Sequence, residues 1–394
     1  MSFHISDQFN LVAFKNKEVD SLYFFNALGS FALGLIGLFI PVYLYQLGIP
    51  IWQILLFYFL RSFYYLILGA SLMPIMKKIS DKLLMALAIP FLVLFFLGLN
   101  SLSEVSTLFY ILPALFGLYQ LFTYIAYNLD FAEASDSDHV GEEVSVRFVI
   151  DAVVKFATPF LGGLIIAFLG FDYVYLIASG ILILSIVPLF TFPKRNFSSK
   201  LSWIEIIHKI KDKELFNYNI TSFSYGAEKM TTDIIWPLFL FIAVGNIKEM
   251  GGILSAGFII GALAAFFLGK KIDKDKGFKD VLTNVSSTGL SLIWIIRTFI
   301  TKTIPIIGSH IGEYIFRNIF LVSWQTRFYQ ITDKEEDHGL FVASQEFLFQ
   351  ISRVVILPVF IIFAYLLSPS EFFIVSFIIS GILALGFMSQ RNHK

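Results

Sequence analysis

The stretch SYGAEKMTTDIIWPLF (224–239) sets Glu228, Lys229 and Asp233 inside a run that is otherwise apolar. Ionisable side chains in such runs are costly, and they mark proton relays, solute sites or mutually neutralised pairs. The pattern recurs along the chain at Arg61, at Asp151 and Lys155, at Glu313 and Arg317, and at Glu346, Gln350 and Arg353. Asp151–Lys155, Lys229–Asp233 and Glu313–Arg317 are spaced i,i+4, so each pair can neutralise itself on one helix face. Glu228 and Arg61 have no such neighbour. Lys229 follows Glu228 in sequence but points about 100° away around a helix. An isolated carboxylate in an apolar segment is expensive to keep ionised, so Glu228 is expected to exchange a proton. Arg61 is its expected alternating partner. Asp233, Glu313 and Glu346 are the further proton-coupling candidates.

Arg61, Asp151, Lys155, Lys229, Arg317, Gln350 and Arg353 are also candidates for lining a solute cavity. Asn26, Gln120, Tyr124 and Asn128 join them as uncharged polar groups on apolar segments. No catalytic constellation accompanies these residues. The chain has no cysteine, no HExxH, no GxSxG and no phosphate-cradling GxxxxGK[ST] loop, and its six histidines are scattered. The acidic loop DSDHVGEE reads as a solvated turn rather than a cation site. The sequence therefore predicts a protein that is not an enzyme and holds no metal or organic cofactor. A net charge of zero gives no handle for nucleic acid. The expected partners are a small-molecule substrate and the lipid bilayer, with an ion gradient, H+ first, as energy source and a monomer as the working unit.

The elements that must position these groups follow from composition. The chain is 57% hydrophobic and 15% charged, with a mean hydropathy of +0.77. Soluble proteins carry about 25% charged residues. Apolar segments fall at 21–46, 51–74, 83–99, 105–128, 144–169, 172–192, 215–243, 250–269, 280–300, 304–329, 340–366 and 371–390. We number them spans 1 to 12. None alternates like a barrel strand, and a backbone without water must satisfy itself, so each is expected to be a helix. Lys and Arg concentrate in the loops 76–82, 193–214 and 270–280 and in both termini, which places the termini in the cytoplasm. A multi-pass protein of a bacterial cytoplasmic membrane is the expected setting. In the loop after span 6, Trp203, Ile206, Ile207 and Ile210 recur at helical spacing behind the capping pattern SWIE. An amphipathic helix on the membrane surface is expected there.

The two ends of the chain also repeat. Pro41 and Pro237, Gly69 and Gly261, and Pro159 and Pro358 lie at offsets of 192 to 199 residues. FAEASDSDHVG and FYQITDKEEDHG fall on nearly the same offset, which indicates a parallel duplication. The division expected is a first six-helix bundle over 1–192, a linker over 193–214 and a second bundle over 215–394. A charged turn follows spans 2 and 8. Asp81 and Lys82 stand in the first, and GKKIDKDKGFK supplies Gly269, Asp273, Lys274 and Gly277 in the second. Span 5 carries PFLGG (159–163). In these features the chain resembles the major facilitator superfamily. The resemblance implies an all-α polytopic membrane protein with twelve transmembrane helices in two pseudo-symmetric bundles. It also implies a central cavity lined by spans 1, 4, 7 and 10 and flanked by 2, 5, 8 and 11. The function implied is a secondary active transporter of a small organic solute, proton-coupled and working by alternating access. A drug-efflux antiporter, a lipid flippase and a transport-dead sensor are the alternatives. Span 8 is rich in Gly and Ala, so it is expected to pack closely on span 5 through Gly257 and Gly261.

Overall fold

The computed structural model describes residues 16–102, 107–134, 140–191, 201–272 and 276–390. Each apolar segment is helical. Span 1 is α1 (Lys17–Ile36) and α2 (Ile40–Gln46), and spans 2 to 5 are α3 (Ile51–Met76), α4 (Asp81–Asn100), α5 (Leu108–Ala134) and α6 (Val140–Leu169). Span 6 is α7 (Phe171–Ser185) with a 3₁₀ turn at its end, and the linker carries α8 (Trp203–Ile210). Span 7 is α9 (Phe216–Met230), a π-helical turn (Thr231–Ile235) and α10 (Trp236–Val244). Spans 8 to 12 are α11 (Ile247–Ile272), α12 (Lys276–Arg297), α13 (Thr303–Thr332), α14 (His338–Leu366) and α15 (Pro369–Leu385). Eight of the described helical stretches are long and apolar enough to cross a membrane. Those of spans 7 to 10 fall outside that criterion.

Proline explains both broken helices. Pro237 has no N–H to give the carbonyl one turn back, and the π turn lies over that gap. Pro41 removes the equivalent bond in span 1, where α1 gives way to α2 at residues 37–39. The same cause acts at matched positions of the repeat. Glycines with positive φ end α2 (Gly48, +83°) and α10 (Gly245, +71°), and Gly170 (+92°) alone separates α6 from α7. At the start of α15, Ser368 and Glu371 form a reciprocal capping box.

The two most extensive contacts between the early and late helices are α3 on α14 and α6 on α11. In span numbers these are 2 with 11 and 5 with 8, which exchange under a shift of six. The α6–α11 contact is as close as its small residues permit. A Cβ on Gly251 would stand 2.5 Å from the Pro159 carbonyl oxygen, and one on Gly163 would stand 3.3 Å from the Gly251 Cα. Ser255 accepts a hydrogen bond from the Phe160 amide at 2.9 Å. The expected pairing of spans 5 and 8 is present, but the small residues at its seam are Gly251 and Ser255. Gly257 faces α13, where a Cβ would meet the His310 ring at 2.7 Å. The surroundings of Gly261 lie outside the described residues.

Two other segments pack against neighbouring helices. The apolar stripe of α8 packs on α14, with Trp203 against Phe347 at 5.2 Å between ring centroids and Ile206 fully buried. That side of α8 is covered by α14. Lys209 on its other side meets Glu335 at 2.7 Å and Asp212 at 3.4 Å. Burial works against the Lys209 charge, but the Glu335 bond outweighs it and raises its pKa. In the charged turn after span 2, Asp81 and Lys82 are both buried, and Lys82 pairs with Glu18 on α1 and, at 3.9 Å, with Asp130 on α5. In the second copy Gly269 lies in α11 and Gly277 in α12, while Asp273 and Lys274 lie outside the described residues.

Candidate functional site

The buried charges sort into two places with different chemistry. The first is a closed cluster among α9, α12 and α13. Glu228 is fully buried, and Arg317 grips it with two parallel bonds, of 2.9 Å to Oε2 and 2.7 Å to Oε1. The same guanidinium reaches Glu313 Oε1 through Nε at 3.1 Å and through an amino group at 2.8 Å. Arg297 takes the other Glu313 oxygen at 2.7 Å and also donates to Ser309. Trp294 donates its indole N–H to Glu228 at 2.6 Å, and Thr232 accepts from Arg317 at 2.9 Å. Two carboxylates and two guanidinium groups therefore neutralise one another away from water. Bidentate, charge-assisted bonds of this kind are the strong ones.

Aromatic rings close the cluster. The Arg297 guanidinium carbon sits 3.4 Å from the Trp236 ring centroid and 4.4 Å from that of Trp294, a stacking that suits a planar cation. Trp236 donates to His310 Nδ1 at 3.1 Å. An indole nitrogen is only a donor, so Nδ1 carries no proton and His310 is the neutral tautomer with its proton on Nε2. That nitrogen faces the Leu254 carbonyl at 3.4 Å. The π turn sets this geometry, because Thr232 lies within it and Trp236 follows directly.

The second place is a cavity of ≈ 210 Å³ between the early helices and α14. Phe25, Asn26, Gly29, Ser30 and Leu33 line it from α1, and Tyr119, Thr123, Tyr124, Tyr127 and Asn128 from α5. Arg147 on α6 and Glu346 on α14 supply its charges. Arg147 stacks on Tyr127 at 4.7 Å and leans towards Asn128 at 3.4 Å and the Tyr329 hydroxyl at 3.5 Å. Asn26 donates to Asp151 at 2.8 Å. Among the described residues Glu346 has no ion pair within bonding distance, although it is only half-buried and faces the cavity. Of the four candidate carboxylates it alone lines this cavity. Glu228 and Glu313 are clamped by arginines, and Asp233 is bonded to Lys229 at 3.0 Å.

The expectations for single residues divide accordingly. The Lys229–Asp233 and Glu313–Arg317 pairs form. Asp151–Lys155 does not: Asp151 is bonded to Asn26, and Lys155 is exposed. Glu228 is not isolated, since Arg317 lies 89 residues away in sequence but in direct contact. Arg61 is separate from Glu228. It is buried, stacked on Tyr58 at 5.0 Å and on Phe116 at 5.2 Å. Asn26, Tyr124 and Asn128 line the cavity, whereas Gln120 is buried outside it with its Oε1 unbonded. Gln350 is fully buried, and Arg353 lies further along α14. Sequence reasoning missed Arg147, Arg297 and His310. Arg147 stands in the polar first turn of span 5, and Arg297 reads as the end of span 9. His310 had one usable signal, its i,i+3 spacing to Glu313.

No protein-family profile matches the sequence, and no curated protein matches it. Among solved structures, that of the nucleoside transporter NupG superposes with a TM-score of 0.67 at 14% identity, covering 96% of this chain and 100% of that one. At this identity the likeness carries the fold and not the solute. What the two chains share is an all-helical fold over nearly their whole lengths.

Proposed function

We propose that the chain is a secondary active transporter that moves a small organic solute by alternating access, with Glu346 as its proton-coupling carboxylate. The cavity carries this reading, because it combines walls from α1, α5 and α6 with Glu346 from α14. A site shared between the early and late helices is what two rocking bundles need. The bundles in this reading are residues 1–192 and 215–394, joined by the linker, and twelve helices cross the membrane with both termini in the cytoplasm. At the end marked by Pro41 and Pro237, α2 packs on α10. The cavity-lining residues Asn128, Arg147 and Glu346 lie towards the opposite end, so the structure fits a state closed outside.

Size separates the solute classes. At ≈ 210 Å³ the cavity lies below the ~300–1,000 Å³ typical of drug-sized ligand pockets. This favours a small polar solute over a bulky lipophilic drug. The role of Glu346 follows from access: a coupling group must meet both solute and water, and the Glu228 cluster meets neither. The test is transport by purified protein in proteoliposomes, with a panel of labelled nucleosides and small organic acids and an imposed pH gradient. Accumulation of at least one solute, lost when the gradient is collapsed, is the expected result. Failure of every solute to cross, by gradient-driven uptake or by exchange, would sink the transporter reading.

A further inference from the structure

We propose that Arg61 on α3 and Arg353 on α14 form a subsite for one oxyanion group, a carboxylate or a phosphate, carried by the solute. The proposal rests on the transporter reading and names the chemistry its substrate must present. Two ring contacts fix the antiparallel register of these helices: Trp52 on Tyr365, at 5.9 Å between centroids, and Tyr65 on Phe347, at 5.5 Å. Arg61 stands one turn from Tyr65, so this register brings it beside the turn of α14 that holds Arg353.

Several polar groups at this place lack partners among the described residues. Arg61 is only 7% exposed, and its Nε is buried without an acceptor. Arg353 Nε is in the same condition, and fully buried Gln350, one turn before it, has neither amide atom bonded. Buried donors without acceptors are costly, and like charges brought together in an apolar medium are more so. The nearby Lys229–Asp233 pair is already neutral and relieves neither arginine. Two guanidinium forks and an amide supply the donors that a carboxylate or phosphate oxygen accepts. Because α3 and α14 belong to opposite bundles, such an anion would also bridge the surfaces that must rock.

The experiment is thermal unfolding of the purified full-length protein at constant ionic strength set with chloride. Acetate, benzoate and inorganic phosphate are titrated in turn, with acetamide and benzamide as uncharged counterparts. At least one anion is expected to raise the melting temperature saturably while the uncharged compounds do not. Arg61→Gln and Arg353→Gln should each weaken that anion about ten- to a hundredfold, the loss expected for one hydrogen bond to a charged group. Lys248→Gln, exposed in the first turn of α11, should respond as wild type. Arg61→Lys, which keeps the charge but loses the fork, should fall between, and it stands in if the glutamine variant does not fold. No anion effect in the wild type, or an effect unchanged in both arginine variants, overturns the subsite. Transport of uncharged solutes without any anion effect would remove the subsite and leave the transporter reading intact.

Discussion

Replacing Glu228 by Gln separates a structural role from a coupling role. The substitution deletes one charge from a buried group of four and leaves Arg297 and Arg317 to share Glu313. It also turns an amide N–H2 towards a guanidinium that is itself all donor, while Trp294 can still donate to the remaining oxygen. Breaking a buried ion pair on one side costs about 3–5 kcal/mol. At roughly 2 °C per kcal/mol for a large domain, the melting temperature should fall by about 6–10 °C. The double variant Glu228→Gln/Arg317→Gln leaves Glu313 facing Arg297 alone, a neutral pair. It should recover at least half of that loss, although it removes more bonds. The assay is thermostability by size-exclusion chromatography of the four proteins of this cycle. Suppose instead that Glu228→Gln melts within 2 °C of wild type and loses gradient-driven accumulation while keeping exchange. Glu228 would then be the coupling carboxylate, and the cluster would not be structural.

Further outcomes follow from single contacts. Asp233→Asn strands Lys229, but both side chains are about a third exposed, so the cost should be only about 0–1 kcal/mol, a melting shift of no more than 2 °C. Gly251→Leu should abolish transport and destabilise the α6–α11 seam, since even a Cβ meets the Pro159 carbonyl at 2.5 Å. Gly252→Ala, with nothing within 4 Å, should be silent in the same uptake and melting assays. Arg297→Lys keeps the charge but loses the stack on Trp236 and Trp294, and a melting loss equivalent to about 1–2 kcal/mol is expected. For sidedness, the cysteine-free chain allows single cysteines at the exposed positions Lys211 and Asn246. An impermeant thiol reagent should label Asn246→Cys in intact cells and Lys211→Cys only in inside-out vesicles; the reverse would invert the orientation.

The helices were legible because an apolar segment without water has one way to satisfy its backbone, and the charge pairs Lys229–Asp233 and Glu313–Arg317 because i,i+4 spacing is local. The partner of Glu228 was not legible. Its contact with Arg317 depends on how α9 and α13 are rotated against each other, which no spacing within either segment encodes. The π turn adds to this, since it shifts the helical phase midway through span 7, and faces counted from Phe216 no longer hold beyond Thr231. Asp151 misled for a simpler reason. A long-range donor, Asn26, outcompeted the local lysine, which can reach water or lipid headgroups instead. Gly257 shows the limit of composition: small residues predict that a helix is approached closely, but not from which side.

The most direct measurement is solute accumulation by Glu346→Gln in proteoliposomes under an imposed pH gradient, using whichever solute the panel identifies. Accumulation should vanish while downhill exchange persists, because the neutral amide can line the cavity but cannot release a proton. Gradient-driven accumulation at the wild-type level would show that Glu346 does not couple proton movement to transport.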